Sequence, residues 1–322
     1  MRVVIMRTFG PPGVLKPAEL AASRPGAGEV VIMVEFASVT FVETQIRAGR
    51  PPRPEMLPAL PAILGNGVGG TVAEAGAGAD RGLIGRRVIS SLNGTGGYAS
   101  RAVAAAGRLT DVPDGVTLRD AVALLADGRT ALALADLAGL RANDTVLVEA
   151  AAGGVGTLLV QIARNAGARV VALAGGERKL RVVQDLGADV AVSYGDGDWA
   201  ERVRDTAGGV DVVFDGVGGE IGLAAFGLLR PGGRFCPFGM ASGTFTPVTP
   251  ELARARQVTV LAGGAPDPGK QQRLVRTALA EAAAGRIRPV VGQEYELERA
   301  ADAHAAIEAR KTTGKTLLAV GR

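Results

Sequence analysis

The segment 145–166 constrains the fold of this chain more than any other, because it joins an apolar strand to a helix through a turn almost free of side chains. Its first four residues are apolar or β-branched, as is typical of a strand buried in a parallel sheet. Apolar residues then recur at helical spacing from Val155 to Ala166. The small residues Ala150, Gly153 and Gly156 would let a pyrophosphate approach the N–H groups at the helix start. The segment therefore predicts a dinucleotide-binding strand, turn and helix.

Strands and helices continue to alternate after this segment. Further strands are predicted at 169–174, 189–193, 210–215, 234–238 and 258–261. A glycine turn kept only for tight helix packing is the competing explanation, but it does not account for the continued alternation. Right-handed crossovers between such strands would build one doubly wound α/β sheet, the Rossmann fold, over residues 121–262.

The sequence on either side of this sheet predicts a second domain made of two pieces, 1–120 and 263–322. Short apolar runs such as 88–91 are separated by clusters of glycine and proline, as in an irregular β-barrel, and the glycines of 65–70 are predicted to be turn residues. The later piece predicts a helix, a strand near Tyr295, a second helix and a strand at 316–320. Neither piece is long enough for a core of its own, so the two are expected to fold together.

The end of the second predicted strand bears on the choice between NADPH and NADH. An enzyme that prefers NADH usually places a carboxylate there to bind the ribose 2′-hydroxyl. Here the strand is followed by Gly175, which leaves room for a 2′-phosphate, and Arg178 and Lys179 could supply positive charge. Glu177 is the competing ribose ligand, although a solvated helix start also explains an acid at this point. Residues 175–179, here called the 2′-phosphate corner, therefore favour NADPH.

The composition and charge of the chain bear on nucleic-acid binding, membrane insertion and cellular location. The net charge of +4 comes from 36 basic and 32 acidic residues spread along the chain, so no nucleic-acid partner is expected. The nearest basic cluster, Arg47, Arg50 and Arg53, is interpreted as a solvated loop. The uncharged stretch 56–73 is rich in proline and glycine and predicts no membrane span, and no secretory signal is expected. The single cysteine, Cys236, is interpreted as a packing residue and fits a cytoplasmic location.

The glycine motif at 150–156 resembles that of the medium-chain dehydrogenase/reductase superfamily, and within it the quinone oxidoreductase (zeta-crystallin-like) family. The segments 38–49, 127–131, 238–239 and 313–315 also resemble that family. The resemblance covers essentially the whole chain. It implies a GroES-like β-barrel domain in addition to the Rossmann domain.

The resemblance also implies a set of cofactor-binding residues. Gly175, Lys179 and Tyr194 fall where family members hold the adenosine 2′-phosphate, which supports NADPH as the cofactor. The full set is Ala150, Gly153, Gly154, Val155, Gly156, Gly175, Lys179, Tyr194, Phe238, Gly239 and Lys315.

The ligands that hold zinc in related enzymes are missing from this sequence. The zinc alcohol dehydrogenases of the same superfamily carry Cys, His and Glu ligands near the substrate and a lobe with four cysteines. Here the corresponding segment reads Gly65-Asn66-Gly67, and the chain has one histidine, His304, and one cysteine. Zinc needs three or four such ligands. We therefore predict an enzyme without zinc, in which His304 is a surface or packing residue.

Without a Lewis acid, the expected substrate is an acceptor that is already electron-poor. Quinones and α,β-unsaturated ketones qualify, because the negative charge that forms is delocalised onto a conjugated oxygen. The protein then has to align the nicotinamide with the acceptor, exclude water and donate hydrogen bonds to the oxyanion. The side chains predicted to donate them are Thr40, Gln45, Asn66 and Thr130.

The identity of the acceptor stays open at this point. Family members more often have asparagine where this chain has Thr40 and tyrosine where it has Gln45, and both could be ordinary polar loop residues. An enone or enoyl reductase of a lipid or polyketide intermediate would use the same hydride geometry. Some relatives are NADPH-binding or RNA-binding proteins with little turnover, so a binding protein is a further alternative.

The last predicted strand of the Rossmann sheet, 258–261, is apolar and lies at an edge. An open apolar edge favours pairing with another chain, so a homodimer with one continuous sheet is expected. The competing explanation is a monomer in which the proline-containing segment after Phe245 covers this edge.

Overall fold

The computed structural model describes residues 1–261 and 267–321. The chain forms two compact units: the first contains Met1–Ala126 and Val275–Arg322, and the second contains Asp127–Leu274. The first unit is therefore built from two separate stretches of sequence, whereas the second is continuous. The predicted domain boundary between residues 262 and 263 lies outside the described residues.

The secondary structure can be given in chain order for these residues. The strands are β1 (Arg2–Met6), β2 (Lys16–Glu19), β3 (Glu29–Val39), β4 (Ala62–Ile63), β5 (Gly67–Ala75), β6 (Arg87–Ser91), β7 (Arg101–Ala105), β8 (Thr110–Asp111), β9 (Thr145–Val148), β10 (Arg169–Ala174), β11 (Val190–Ser193), β12 (Val210–Asp215), β13 (Leu229–Pro237), β14 (Thr259–Val260), β15 (Val291–Glu296) and β16 (Lys315–Ala319). The α-helices are α1 (Phe41–Arg47), α2 (Leu118–Ala138), α3 (Gly154–Asn165), α4 (Glu177–Asp185), α5 (Trp199–Ala207), α6 (Gly219–Phe226), α7 (Pro250–Ala255), α8 (Pro268–Ala283) and α9 (Ala300–Glu308). Within the described ranges, none of the helices has the length and apolar character needed to cross a bilayer.

The second unit is a doubly wound parallel sheet. Among the described residues, six strands are hydrogen-bonded in the order β11-β10-β9-β12-β13-β14, and every neighbouring pair is parallel. Val146, Leu147 and Val148 of the central strand β9 are fully buried, which explains its uninterrupted apolar sequence. The winding direction reverses between β9 and β12, and this creates the switch point where ligands bind in sheets of this kind. The predicted Rossmann fold is confirmed.

Aromatic and apolar side chains fill the core of this unit. Phe226 of α6 and Phe235 of β13 pack edge to face, with ring centroids 5.3 Å apart, and Trp199 of α5 is buried in the same cluster. Cys236 is fully buried beside Phe235 in the sequence, and burial raises the pKa of its thiol to about 12. The thiol is therefore protonated at neutral pH, and the interpretation of Cys236 as a packing residue is confirmed.

The first unit contains a seven-stranded and a three-stranded sheet. The larger sheet has the order β15-β16-β3-β5-β6-β8, with β7 also paired to β3, and the smaller sheet has the order β2-β1-β4. The pairs are antiparallel apart from β15 with β16. This arrangement confirms the β-rich fold that was predicted for the second domain. The late strand β16 lies between β15 and β3, so residues distant in sequence complete one sheet.

Several glycines that we predicted as turn residues lie inside strand β5. A Cβ on Gly70 would lie 1.8 Å from the carbonyl oxygen of Met33 on β3, and a Cβ on Gly69 would lie 2.3 Å from Cγ2 of Val122. The neighbouring backbone and helix α2 leave no room for a side chain at these positions. The prediction of a turn was therefore wrong, because close strand packing requires glycine there as well.

The edge strand β14 is shorter than predicted. It pairs with β13 through Thr259 and Val260, and Leu261 N adds one hydrogen bond of 2.7 Å to the carbonyl of Phe235. The side chain of Val260 is exposed. Strands β11 and β14 form the two edges of the described sheet.

Candidate active site

The turn between β9 and α3 reverses the chain with almost no side-chain bulk. Ala150 has a φ of 45°, in the left-handed region that alanine rarely adopts. Ala151 N is held at 2.9 Å by the carbonyl of Leu173 on the neighbouring strand β10. Gly153 is the N-cap of α3 and has no side chain that could cap the first turn. The helix start therefore presents its backbone to a ligand.

Two further glycines bring α3 close to this turn. A Cβ on Gly156 would lie 2.3 Å from the carbonyl oxygen of Ala150 and 2.7 Å from Cα of Ala151. A Cβ on Gly154 would lie 1.9 Å from Oδ2 of Asp127. A larger residue at either position would push the helix away from the strand or displace the carboxylate. This close approach at the positive end of a helix fits the pyrophosphate of a dinucleotide.

The end of β10 forms the predicted 2′-phosphate corner. Gly175 is exposed, and a Cβ there would lie 3.4 Å from the ring of Tyr194, so these two residues are adjacent. Lys179 is half-buried in the first turn of α4. The side chain of Glu177 is 91% exposed and lies 3.6 Å from the guanidinium of Arg181. An acid that is solvated at the start of a helix is explained by the helix dipole.

A pair of buried carboxyl groups lies at the ends of β9 and β12. Glu149 and Asp215 are both fully buried, and their side chains are hydrogen-bonded to each other. Asp215 also accepts hydrogen bonds from Gly218 N at 2.7 Å, Val217 N at 3.2 Å and the Thr246 hydroxyl at 2.5 Å. Burial, and then the charge of Asp215, raises the pKa of Glu149 to about 10. The pair therefore holds a proton at neutral pH and fixes the turn that follows β12.

The segment after β13 packs against that turn. The N–H groups of Phe238 and Gly239 donate to the carbonyl oxygen of Asp215 at 2.9 and 3.2 Å. A Cβ on Gly239 would lie 2.5 Å from the carbonyl oxygen of Gly216, and a Cβ on Gly216 would lie 2.7 Å from the ring of Phe238. Phe238 and Gly239 thus lie at the same carboxyl edge of the sheet as the glycine turn, next to the carboxyl pair.

In the first unit, one carboxyl group joins two of the predicted acceptor-side segments. Thr40 and Glu43 form a capping box at the start of α1: Thr40 Oγ1 accepts from Glu43 N at 3.3 Å, and Glu43 Oε2 accepts from Thr40 N at 2.7 Å. Glu43 Oε1 accepts from Asn66 N at 2.8 Å. Gln45 lies one turn further along α1, where its Nε2 donates to the Thr44 hydroxyl at 3.1 Å.

The amide side chain of Asn66 has a structural contact of its own. Its Oδ1 accepts from Leu92 N at 3.1 Å and Gly94 N at 2.8 Å, which holds the loop after β6. The amide NH₂ group is therefore the part of Asn66 that could donate to an oxyanion. Thr130 lies in the second unit, half-buried on α2, and Lys315 lies buried at the start of β16 in the first unit.

Glu43 belongs to a buried polar cluster that the sequence did not predict. The Tyr98 hydroxyl lies 3.2 Å from Glu43 Oε2 and 2.9 Å from His304 Nε2, and all three side chains are buried. Burial raises the pKa of Glu43 despite the hydrogen bonds that it accepts from Thr40 and Asn66. Burial also lowers the pKa of His304 to about 3, so its imidazole is neutral. Of the two roles predicted for His304, packing is the one observed.

The interpretation of Arg47 as part of a solvated loop was wrong. Its side chain is 1% exposed, forms an ion pair with Glu308 of α9, and donates to the carbonyl of Gly10 at 2.5 Å. Arg50 and Arg53 are exposed, as predicted. The partners of Arg47 come from distant parts of the chain, so the local sequence gave no signal for its burial.

Comparisons with known proteins define the class of this protein. Residues 26–114 match the family described as the alcohol dehydrogenase GroES-like domain, and residues 154–280 match the family described as zinc-binding dehydrogenase. The two matches fall in the β-rich unit and, for the most part, in the doubly wound unit. Together with the glycine turn, they define a medium-chain dehydrogenase/reductase.

Individual relatives narrow this class. The quinone oxidoreductase of Pseudomonas aeruginosa is 31% identical over 318 residues, which cover 96% of this chain and 97% of the relative. A mycobacterial protein solved in complex with NADPH has a TM-score of 0.89 at 34% identity and covers 99% of this chain and 100% of its own. The Escherichia coli quinone oxidoreductase, also solved with NADPH, has a TM-score of 0.91 at 26% identity and covers 99% of this chain and 100% of its own. The chain belongs to the quinone oxidoreductase family.

Proposed function

We propose that this protein is an NADPH-dependent reductase that transfers hydride to a quinone or another conjugated carbonyl acceptor. The observation that carries the proposal is the glycine turn after β9, where the backbone at the start of α3 is open to a pyrophosphate at the switch point of the sheet. The names of the relatives and the NADPH in two solved neighbours support it. NADPH, when bound, supplies the hydride.

The corner after β10 supports the choice of NADPH over NADH. We infer that Gly175 leaves space for the 2′-phosphate and that Lys179 and Tyr194 bind it. The 91% exposure of the Glu177 side chain favours its role as a solvated helix-start residue over that of a ribose ligand. Ala150, Gly153, Gly154, Val155 and Gly156 would hold the pyrophosphate, and Phe238, Gly239 and Lys315 complete the proposed set.

On the acceptor side, we propose Thr40, Gln45, Asn66 and Thr130 as hydrogen-bond donors to the developing oxyanion. Thr40 is the strongest of these candidates, because its hydroxyl oxygen is fixed by the capping box while its side chain is half-buried. A fixed donor stabilises the transition state without the cost of reorienting during the reaction.

We propose that the reaction needs no zinc. The chain has one histidine and one cysteine, and among the described residues no three His, Cys, Asp or Glu side chains cluster in a way that could hold a metal ion. Activity is therefore expected to survive prolonged chelation, and elemental analysis should find far less than stoichiometric zinc. Stoichiometric zinc that is lost together with activity would contradict this proposal.

We also propose a homodimer that forms through the β14 edge and acts in the cytoplasm. Val260 is exposed on β14, which among the described strands pairs only with β13, and this open edge supports the dimer. The single buried cysteine is consistent with a reducing compartment.

The experiment that tests the function is an acceptor panel run with NADPH and with NADH. It would compare the rates of cofactor oxidation with 1,4-benzoquinone, 9,10-phenanthrenequinone and a simple enone. The rate of cofactor oxidation without any acceptor is the background. We expect turnover of at least one acceptor with NADPH and slower turnover with NADH. Tight NADPH binding without turnover of any acceptor would instead identify a cofactor-binding protein.

A further inference from the structure

The carboxyl group of Asp127, on α2, lies beside the first residue of α3. A Cβ built on Gly154 would lie 1.9 Å from Asp127 Oδ2, so this oxygen occupies the space of a side chain at the first helical position. The Cα–Cβ bonds of an α-helix tilt towards the N-terminus of the helix. Asp127 Oδ2 is therefore beside the N-terminal end of α3, which is also the end that the glycine turn opens to a pyrophosphate.

The surroundings of Asp127 favour its ionised form. Asp127 is 9% exposed, and the start of a helix carries about half a positive charge. Arg129 adds a full positive charge nearby: burial lowers the pKa of this guanidinium, and the charge of Asp127 opposes that effect. The Arg129 guanidinium also donates to Gln271 Oε1 at 3.1 Å. A carboxylate is thus held against the start of α3 by opposite charge.

A bound pyrophosphate would share this end of the helix with Asp127. Backbone geometry puts a Cβ about 2.5 Å from the nitrogen of its own residue, so Asp127 Oδ2 lies within about 4.5 Å of Gly154 N. An anion that accepts from this N–H group at about 2.9 Å is then within about 7 Å of the carboxylate. At that distance two like unit charges change a Kd about threefold even in water, and a pyrophosphate carries two charges.

We propose that Asp127 weakens cofactor binding by placing a negative charge beside the pyrophosphate site. The proposal rests on the function proposed above, because it needs a dinucleotide at the start of α3. The repulsion acts on the pyrophosphate that NADPH and NADH have in common, so Asp127 lowers the affinity for both and does not affect the choice between them. A reductase exchanges its cofactor in every cycle, and a weaker complex releases the oxidised cofactor faster.

Stabilisation of α3 is the competing explanation for Asp127. A carboxylate at the start of a helix is favourable without any ligand, because it complements the helix dipole. Loss of the charge would then lower the stability of the protein and would leave cofactor binding unchanged or weaker. Repulsion of the pyrophosphate predicts the opposite result for binding, namely a tighter complex when the charge is removed. The measurement that separates the two roles is therefore the Kd of the cofactor.

The test compares Asp127→Asn and Asp127→Ser with the wild type by titrating NADPH, NADH and adenosine 2′-monophosphate at low and high salt. NADPH and NADH should each bind about tenfold more tightly to both variants, because the repulsion from the pyrophosphate charges is lost. This gain should shrink at high salt, where the charges are screened. Adenosine 2′-monophosphate can bind the 2′-phosphate corner but has no pyrophosphate, so its Kd should stay unchanged.

Asp136→Asn is the matched control. It removes the same charge from an exposed position on the same helix and should leave all three Kd values unchanged. Thermal melting without ligand shows whether each variant is folded. If Asp127→Asn does not fold, Asp127→Ser gives the same decision, because it also removes the charge.

The outcomes separate this proposal from the proposed function. A wild type that binds NADPH, with unchanged or weaker binding in the Asp127 variants, would refute the proposal alone and leave α3 stabilisation as the role of Asp127. Equal tightening of adenosine 2′-monophosphate would also refute it, because the effect would not depend on the pyrophosphate. A wild type that binds neither NADPH nor NADH would refute the reductase function and this proposal with it.

Discussion

At the level of single residues, Glu149 and Asp215 show how a sheet of apolar strands can end in two acids. The raised pKa of Glu149 means that the folded protein holds a proton which the unfolded chain releases above about pH 4.5. The stability from this group is therefore present below that pH and is lost as the pH rises towards about 10. The pair thus stabilises the turn after β12 at the expense of alkaline stability.

Glu149→Gln tests this account. Glutamine keeps a donor for Asp215 but has no titrating proton, so the variant should gain stability relative to the wild type as the pH rises. The difference in the free energy of unfolding should grow by up to about 1.4 kcal/mol per pH unit near neutral pH. Urea unfolding at several pH values measures it. Glu177→Gln changes an exposed acid and should show the same pH dependence of the free energy of unfolding as the wild type. If Glu149→Gln also showed the pH dependence of the wild type, the shared proton would be contradicted.

Lys179 tests the cofactor corner. Lys179→Ala should weaken NADPH binding by about 1.5–3 kcal/mol and leave NADH binding nearly unchanged, because NADPH alone offers a 2′-phosphate for a charge-assisted contact. Titration of both cofactors measures the two Kd values. Arg181→Ala removes the same charge from the exposed side of α4 and should leave their ratio unchanged. Equal weakening of both cofactors by Lys179→Ala would return Glu177 to consideration as a ribose ligand.

At the level of elements, the contact between β9 and α3 depends on the third glycine of the motif. Gly156→Ala places a methyl group 2.3 Å from the carbonyl of Ala150, so the helix has to move. We expect a loss of about 1–3 kcal/mol in stability, as for other overpacked sites, together with weaker NADPH binding. Thermal melting and cofactor titration measure both. Gly197→Ala adds the same methyl group in open space and serves as the control; similar losses in both variants would refute a packing role.

The strands of the second unit could be predicted from the sequence because each is a local apolar run, although β13 begins at Leu229 instead of residue 234 and β14 is shorter than predicted. The strand predicted at 210–215 is observed with those bounds as β12, since a β-branched apolar run ends there in a glycine turn. The cluster of Glu43, Tyr98 and His304 could not be predicted, because its members are separated by dozens of residues and have no periodic pattern. The glycines of β5 were wrongly predicted to be turn residues for a related reason. The sequence alone does not show whether a glycine lies in a turn or in a strand that packs closely against neighbouring backbone.

At the scale of the whole molecule, the open edge of the second unit bears on assembly. Val260→Lys should break the proposed dimer, because two lysines would face each other across the two-fold axis of a continuous sheet. Light scattering at micromolar concentration measures the mass, and a wild-type mass near 32.7 kDa would show that the edge does not pair. Leu223→Lys changes an exposed leucine of α6 in the same unit and should leave the dimer intact.

The central position of β16 has a consequence for how the chain is made. All six strands of the doubly wound sheet lie between residues 145 and 260, so their pairing partners have been synthesised before the C-terminal segment leaves the ribosome. Strand β3 is synthesised early, but its partner β16 ends at Ala319. Until then, residues 36–39 of β3 lack their antiparallel partner, whereas residues 29–33 already have β7 as theirs. The strand that is made last therefore completes a sheet whose first strands are made early, and the first unit reaches its full strand pairing only when residue 319 has been added.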